Sequence, residues 1–247
     1  MPRRLIRRTA TPSELGGYLR EVDQLPELLA SDTLFANDWP LEIEVGSGKG
    51  LFLATASGNQ SQHNFLGIEI ARKYASHAAS RLARAQRANA LMICGNAEPL
   101  FQHRIAPASL EAIHVYFPDP WWKKRHRKRR VLNETSITSF AKALRSGGRL
   151  HFWTDVLDYF EDTIEMIAEI APELGVPFPE EEIEATHDLD YRTHFERRSR
   201  KYQIPVYRVR YERRASRCPP TSELQHTCGT SPDESRATAG GAGPIQC

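Results

Sequence analysis

No stretch of this 247-residue chain approaches the ~18 uninterrupted apolar residues that a membrane-spanning helix needs, and the charged opening is not followed by the apolar segment of a signal peptide. Only four cysteines are present, Cys94, Cys218, Cys228 and Cys247, with no spacing that suggests a disulfide framework or a structural metal. No internal repeat is visible, and the formal net charge is only +2. These absences exclude an integral membrane protein, a disulfide-stapled secreted domain and a repeat array. They leave a soluble protein, expected in the cytoplasm, with no membrane partner and no metal.

The small net charge hides segregation. Arg3, Arg4, Arg7 and Arg8 make a basic arm, residues 123–130 a cationic strip, and residues 192–217 an arginine-rich section, while acid gathers at 180–184. A charge is felt only over roughly 8 to 10 Å in physiological salt, so local clusters decide polyanion binding. Nucleic acid is the expected partner. At 40% apolar residues the chain can bury one substantial core. The expected organisation is a basic flexible arm over 1–38, one domain over 39–213, and a disordered tail over 214–247 that is rich in Ser, Thr, Gly, Ala and Pro.

Within the domain, apolar runs and helical periodicities alternate. Strand is predicted over 41–45, 64–70, 90–94, 110–117, 149–154 and 203–211, and helix over 51–56, 72–86, 98–103, 131–144 and 159–170. Such alternation predicts a doubly wound, mostly parallel α/β sheet with helices on both faces. Ligands of such sheets sit beyond the carboxyl ends of the strands.

The first strand runs into Glu44-Val45-Gly46-Ser47-Gly48-Lys49-Gly50. The spacing is GxGxG, one residue short of the dinucleotide fingerprint, and Glu44 would place negative charge where a pyrophosphate should lie. A cationic amino-acid moiety suits that pocket better. Glu69 follows Gly50 by 19 positions, near the ~20-residue separation at which a carboxylate reaches ribose hydroxyls. Asn96, beside Ala97, can hydrogen-bond an adenine edge. The set resembles the first motifs of class I S-adenosylmethionine-dependent methyltransferases, with Glu44, Gly46, Gly48, Gly50, Glu69, Asn96 and Ala97 as the cofactor-binding residues and S-adenosylhomocysteine as product.

The other constellation is Phe117-Pro118-Asp119-Pro120-Trp121-Trp122 followed by Lys123-Lys124-Arg125-His126-Arg127-Lys128-Arg129-Arg130. Two prolines forbid further strand pairing and hold Asp119 in a stiff loop at the sheet edge. Indoles beside a cationic strip suit a nucleobase next to a phosphate chain. The string closely resembles the signature FPDPWxKxRHxKRR of bacterial tRNA (guanine-N7)-methyltransferases, and the likeness extends over about 41–211. That resemblance implies a seven-stranded class I methyltransferase sheet with an antiparallel late strand, and methyl transfer to N7 of guanine at position 46 in the tRNA variable loop. It further implies Asp119 as the catalytic residue, substrate binding by Lys123, Asp155, Thr193, His194, Phe195 and Glu196, and RNA contact by Arg125, His126, Arg127, Lys128, Arg129 and Arg130. Whether the enzyme is a monomer or a homodimer stays open, as does the division of roles between Asp119 and Asp155.

Several residues carry a plainer reading. His114 in an apolar strand is expected to be a hydrogen-bonded structural histidine, Trp121 either stacks on a base or packs under its loop, and Thr193 with Glu196 matches a helix-capping pair. Two positions depart from the family pattern. Trp122 stands where a smaller residue or proline is usual, and Gln203 where a glycine commonly precedes the Pro-aliphatic-Tyr segment, here Pro205-Val206-Tyr207. An enzyme methylating exocyclic amines, a catalytically silent RNA-binding protein and a dehydrogenase are the alternatives.

Overall fold

The computed structural model describes residues 15–181 and 191–215. Eight strands form one sheet: β1 (Leu19–Glu21), β2 (Leu41–Val45), β3 (Asn64–Glu69), β4 (Ala90–Cys94), β5 (Leu110–Tyr116), β6 (Leu144–Thr154), β7 (Phe178–Pro179) and β8 (Tyr207–Glu212). Their order across the sheet is β1-β4-β3-β2-β5-β6-β8-β7. Only β8 runs against its neighbours β6 and β7, while the pairings from β1 through β6 are parallel. The order reverses beside β2, which places the topological switch point where β2 and β5 end.

Helices α1 (Ser31–Phe35), α2 (Leu51–Asn59), α3 (Arg72–Arg84), α4 (Ala97–His103), α5 (Glu134–Ala143), α6 (Leu157–Ile170) and α7 (His194–Lys201) occupy the connections. Period-two alternation sorts the strand residues. Leu41, Ile43 and Val45 of β2 join Ile113, Val115, Leu150 and Phe152 in a core closed by Phe101 of α4, Ile137 and Phe140 of α5 and Tyr159 and Ile167 of α6. The opposite face packs Phe52 and Leu53 of α2 and Ala75, Ala78, Ala79 and Leu82 of α3 on Phe65, Met92, Tyr116 and Trp153. Successive strand residues point to opposite faces, so Glu42 and Glu44 both lie on this second face.

The doubly wound sheet is as expected, with eight strands rather than seven. Much of the supposed flexible arm is built in: β1 pairs with the edge of β4, and Leu25 and Leu29 are buried in the first core. Their apolar side chains are too sparse for periodicity to reveal, yet both are buried in that core. Strand β6 starts at Leu144, earlier than the strand predicted over 149–154, and α5 is a three-turn helix capped by Asn133, whose side chain accepts from Ser136 N–H at 3.0 Å. Residues 1–14 and the tail from 216 onward lie outside the described residues. Among the described residues no helix is long and apolar enough to cross a membrane.

Candidate active site

The glycine segment after β2 turns through left-handed backbone at Gly46, Gly48 and Gly50, with φ of 80°, 52° and 66°. At Gly50 a Cβ would lie 2.6 Å from Cβ of Ala78, so this glycine lets α2 approach α3. Gly46 and Gly48 have open space around them and form the part of the loop that a ligand can reach. Glu69 ties the loop to β3: its Oε2 accepts Gly48 N–H at 2.9 Å and its Oε1 accepts Ala71 N–H at 2.9 Å. A carboxylate has about four acceptor sites, so two remain for hydroxyl donors.

Glu44 sits at the end of β2 and is 3% exposed. Its Oε2 is buried with no hydrogen-bond partner. Burial, with the negative charge of Glu69 adding to it, pushes its carboxyl up to about 8, against a smaller opposing contribution from Ser47. An unsatisfied buried carboxylate oxygen is costly, and the group that would relieve it is a cationic hydrogen-bond donor such as an α-ammonium. The donor set therefore fits S-adenosylmethionine: Glu44 for the ammonium, Glu69 for ribose, and Asn96 with Ala97 for the base. Asn96 Oδ1 caps α4 by accepting Glu98 N–H at 3.2 Å, which leaves its amide nitrogen as donor. Ile70, directly after Glu69, is 72% exposed and offers an apolar surface for a base. An apolar residue lying just beyond the end of β3 was the signal for it.

Asp119 and Asp155 emerge at the same edge, because β5 and β6 pair in parallel with Tyr116 opposite Trp153. Both carboxylates are exposed. The loop holding Asp119 is strained: Phe117 and Trp121 flank it at φ of 49° and 46°, a region disfavoured for bulky residues and found where surrounding structure enforces it. The enforcing contacts are visible. Phe117 N–H donates to Trp153 O at 2.8 Å, and its ring lies 6.0 Å from that of Phe195 at 19°. Trp121 is half-buried between the His126 ring and the Arg129 guanidinium, so packing accounts for much of its surface. Trp122 is 70% exposed.

The cationic strip forms a 3₁₀ segment over Lys124–Arg129. Lys123, Lys124, Arg125, Lys128 and Arg129 face solvent. Arg130 corrects the expectation of RNA contact: it is 7% exposed, its Nε donates to Pro120 O at 2.9 Å, its Nη1 to Asp162 Oδ2 at 2.8 Å, and its guanidinium lies over the Tyr159 ring. It clamps the Asp119 loop onto α6. Arg127 shares Asp162 at 3.0 Å, which draws it to the same helix.

Helix α7 also revises the list. Thr193 caps it, accepting Glu196 N–H at 3.0 Å, and Glu196 accepts Arg192 N–H at 2.7 Å. Glu196 is 2% exposed and pairs with Arg200 at 2.7 Å. It is a capping and core carboxylate, with no surface to offer a substrate. His194 and Phe195 stay exposed. Gln203 follows the end of α7 at φ 54°, the conformation that explains why glycine is usual at that position.

Beneath the site runs a polar chain in which His114 is the central link. Arg192 donates to Tyr116 OH at 2.7 Å, Tyr116 contacts His114 Nδ1 at 2.9 Å, His114 Nε2 contacts Glu42 Oε2 at 2.8 Å, and His63 Nδ1 contacts Glu42 Oε1 at 2.7 Å. Burial lowers His114 to about 4 despite the pull of Glu42, while for Glu42 the two imidazoles outweigh burial and hold it at about 2. The assignment that satisfies each contact is a neutral His114 donating from Nε2 to an ionised Glu42 and accepting the Tyr116 proton at Nδ1. Glu42 and Arg192 carry no local signal, because nothing in their spacing shows that β2 and the segment leading into α7 converge on β5.

The sheet order and the acids at its switch point define a class I, S-adenosylmethionine-dependent methyltransferase fold. The solved structure of the 16S rRNA methyltransferase KamB shares it at TM-score 0.56 and 14% identity, over 77% of this chain and 96% of that one. A SAM-dependent O-methyltransferase from Thermotoga maritima does so at TM-score 0.50 and 16% identity, over 73% and 61%. A family model described as putative methyltransferase matches residues 38–209. A tRNA (guanine-N(7)-)-methyltransferase of Rhodopirellula baltica is 62% identical over 87% of this chain and 81% of its own length, and one of Vibrio cholerae is 33% identical over 78% and 81%. The chain belongs to the tRNA (guanine-N(7)-)-methyltransferase family.

Proposed function

We propose that the protein transfers a methyl group from S-adenosylmethionine to N7 of the guanine at position 46 in the variable loop of tRNA, acting in the cytoplasm. The observation that carries this reading is the convergence of a buried, unpartnered Glu44 oxygen with the strained Asp119 loop at the ends of neighbouring strands. S-adenosylmethionine supplies an electrophilic methyl on a positively charged sulfur. Glu44 and Glu69 anchor its amino-acid and ribose ends. N7 of guanine already holds an in-plane lone pair and no proton at neutral pH, so no residue need act as general base, and positioning supplies most of the acceleration. As methylation makes the purine cationic, the fixed carboxylate of Asp119 stabilises the charge that develops. Asp119 or Asp155, which follow the paired strands β5 and β6, accepts from the N1–H and N2–H edge that distinguishes guanine from adenine. The exposed cations from Lys123 to Arg129 hold the phosphate chain.

The test is incubation of the purified protein with labelled cofactor and unmodified tRNA, followed by nucleoside analysis. N7-methylguanosine at position 46 is the expected product. Asp119→Asn should lower kcat by about 10²- to 10³-fold, the range for removing a fixed electrostatic contact from a transition state, while S-adenosylhomocysteine still binds. Methylation at another atom, or full activity in Asp119→Asn, overturns the assignment.

A further inference from the structure

A second group of basic side chains lies away from the strip of residues 123–130, with Lys49, Arg81, Arg84 and Arg197 as its cations. Helix α3 carries His77, Arg81 and Arg84, the glycine loop carries Lys49, and α7 carries His194 and Arg197. Tertiary contacts draw them together: Arg81 Nε donates to Lys49 O at 3.1 Å, and Arg81 Nη2 lies 3.3 Å from His194 Nε2 across 113 positions of sequence. Burial and then the surrounding positive charge of Arg81 and Lys49 lower both His77 and His194. Lys49, His77, Arg84, His194 and Arg197 are exposed. Two helices and a loop thus gather four formal positive charges, from Lys49, Arg81, Arg84 and Arg197, beside two imidazoles able to hydrogen-bond, a combination suited to a polyanion.

Position identifies the polyanion. The strip of residues 123–130 is fastened by Arg127 and Arg130 to α6, on one face of the sheet. The second group is carried by α3, on the other face. Phe117, which leads into the Asp119 loop, stacks on Phe195, the neighbour of His194, so the Asp119 loop adjoins the second group. An RNA strand held by the strip of residues 123–130, with one base at the Asp119 loop, meets the second group if it continues across the sheet edge to the α3 side.

We infer that Lys49, His77, Arg81, Arg84, His194 and Arg197 form a second phosphate-binding site, which grips the tRNA backbone on the cofactor side of the pocket opposite the strip of residues 123–130. The inference rests on the proposed tRNA substrate and adds the path of the RNA across the sheet edge.

The experiment is tRNA binding by the full chain at a series of salt concentrations, with Arg84→Ala/Arg197→Ala beside the parent. Each lost phosphate contact reduces the slope of log affinity against log salt by roughly 0.7 to 0.9, so the double variant should show a slope shallower by about 1.5 and weaker binding. Its S-adenosylhomocysteine affinity, measured by calorimetry, should equal that of the parent and so establish that the fold is intact. Arg84→Lys/Arg197→Lys should restore the slope, because counterion release follows charge. An unchanged slope and affinity in a folded double alanine variant overturns the site, even where the parent makes N7-methylguanosine. A parent that makes none, yet binds tRNA with a slope that depends on Arg84 and Arg197, overturns the activity and leaves the site standing.

Discussion

The role proposed for Glu44 would make cofactor binding proton-coupled, and the coupling has a calculable size. Its carboxyl is raised from an ordinary 4.5 to about 8, so in the free protein it is mostly protonated at neutral pH. A bound α-ammonium requires the ionised form. About one molecule in a hundred is ionised at pH 6, about one in eleven at pH 7 and about half at pH 8, so affinity for S-adenosylhomocysteine should rise roughly 50-fold from pH 6 to pH 8. Binding at pH 7 should release about 0.9 proton, visible by titration calorimetry in buffers of different ionisation heat. Folding stability carries the matching sign. A folded-state pKa raised above the unfolded value contributes stability that is whole below pH 4.5 and is lost as pH rises through 8. The loss in the free protein is up to about 4 to 5 kcal/mol by the same linkage, and ligand should offset it at alkaline pH. Glu44→Gln should flatten both profiles and weaken binding. A parent whose affinity is level between pH 6 and 8, with no proton released, would refute the reasoning.

The Arg130 clamp predicts that Arg130→Ala leaves the Pro120 carbonyl unsatisfied and costs about 2 to 3 kcal/mol of stability by chemical denaturation. The same substitution should lower kcat without changing S-adenosylhomocysteine affinity, since only the Asp119 loop loosens. Gln203→Gly should raise stability by about 0.5 to 1 kcal/mol, because relief of left-handed strain exceeds the added freedom of the unfolded chain, and an unchanged melting curve would count against strain at that turn. His114 is neutral and buried, with its pKa lowered from 6.5 to about 4, so stability should decline as pH falls from 6.5 through 4, by about 3 kcal/mol. His114→Gln, which cannot titrate, should be less stable near neutrality and less sensitive over that interval in acid denaturation.

Much of the architecture was legible because its signals are local. Strand β5 is an apolar run cut by two prolines, α3 an alanine-rich periodicity, and the glycine loop a turn that only glycines negotiate easily, so each declares itself within a dozen residues. The positions of Glu44 and Glu69 were legible for the same reason, as each lies at the carboxyl end of its own strand. The glutamate of α7 was legible in two ways, as substrate ligand or as cap, and only its burial against Arg200 decides for the cap. Arg130 belongs to a string of cations that read alike in sequence. Lys123, Lys124, Arg125, Lys128 and Arg129 face water, Arg127 leans on Asp162, and Arg130 is the one buried beneath the loop, meeting Asp162 and Tyr159 some thirty positions further on.

The sequence by itself determined the β/α alternation, the presence of acids at the carboxyl ends of the strands and the family signature, since these depend on residue type and short spacing. The tertiary structure alone decided which charges are buried and which are open. It placed Glu42 under His114, drew Arg81 to His194, and recruited Leu25 and Leu29 into a core that the strand pattern does not announce. The physical reason is that solvation and charge depend on distance in space, and helices packed on opposite faces of a sheet bring together residues that no sequence interval relates.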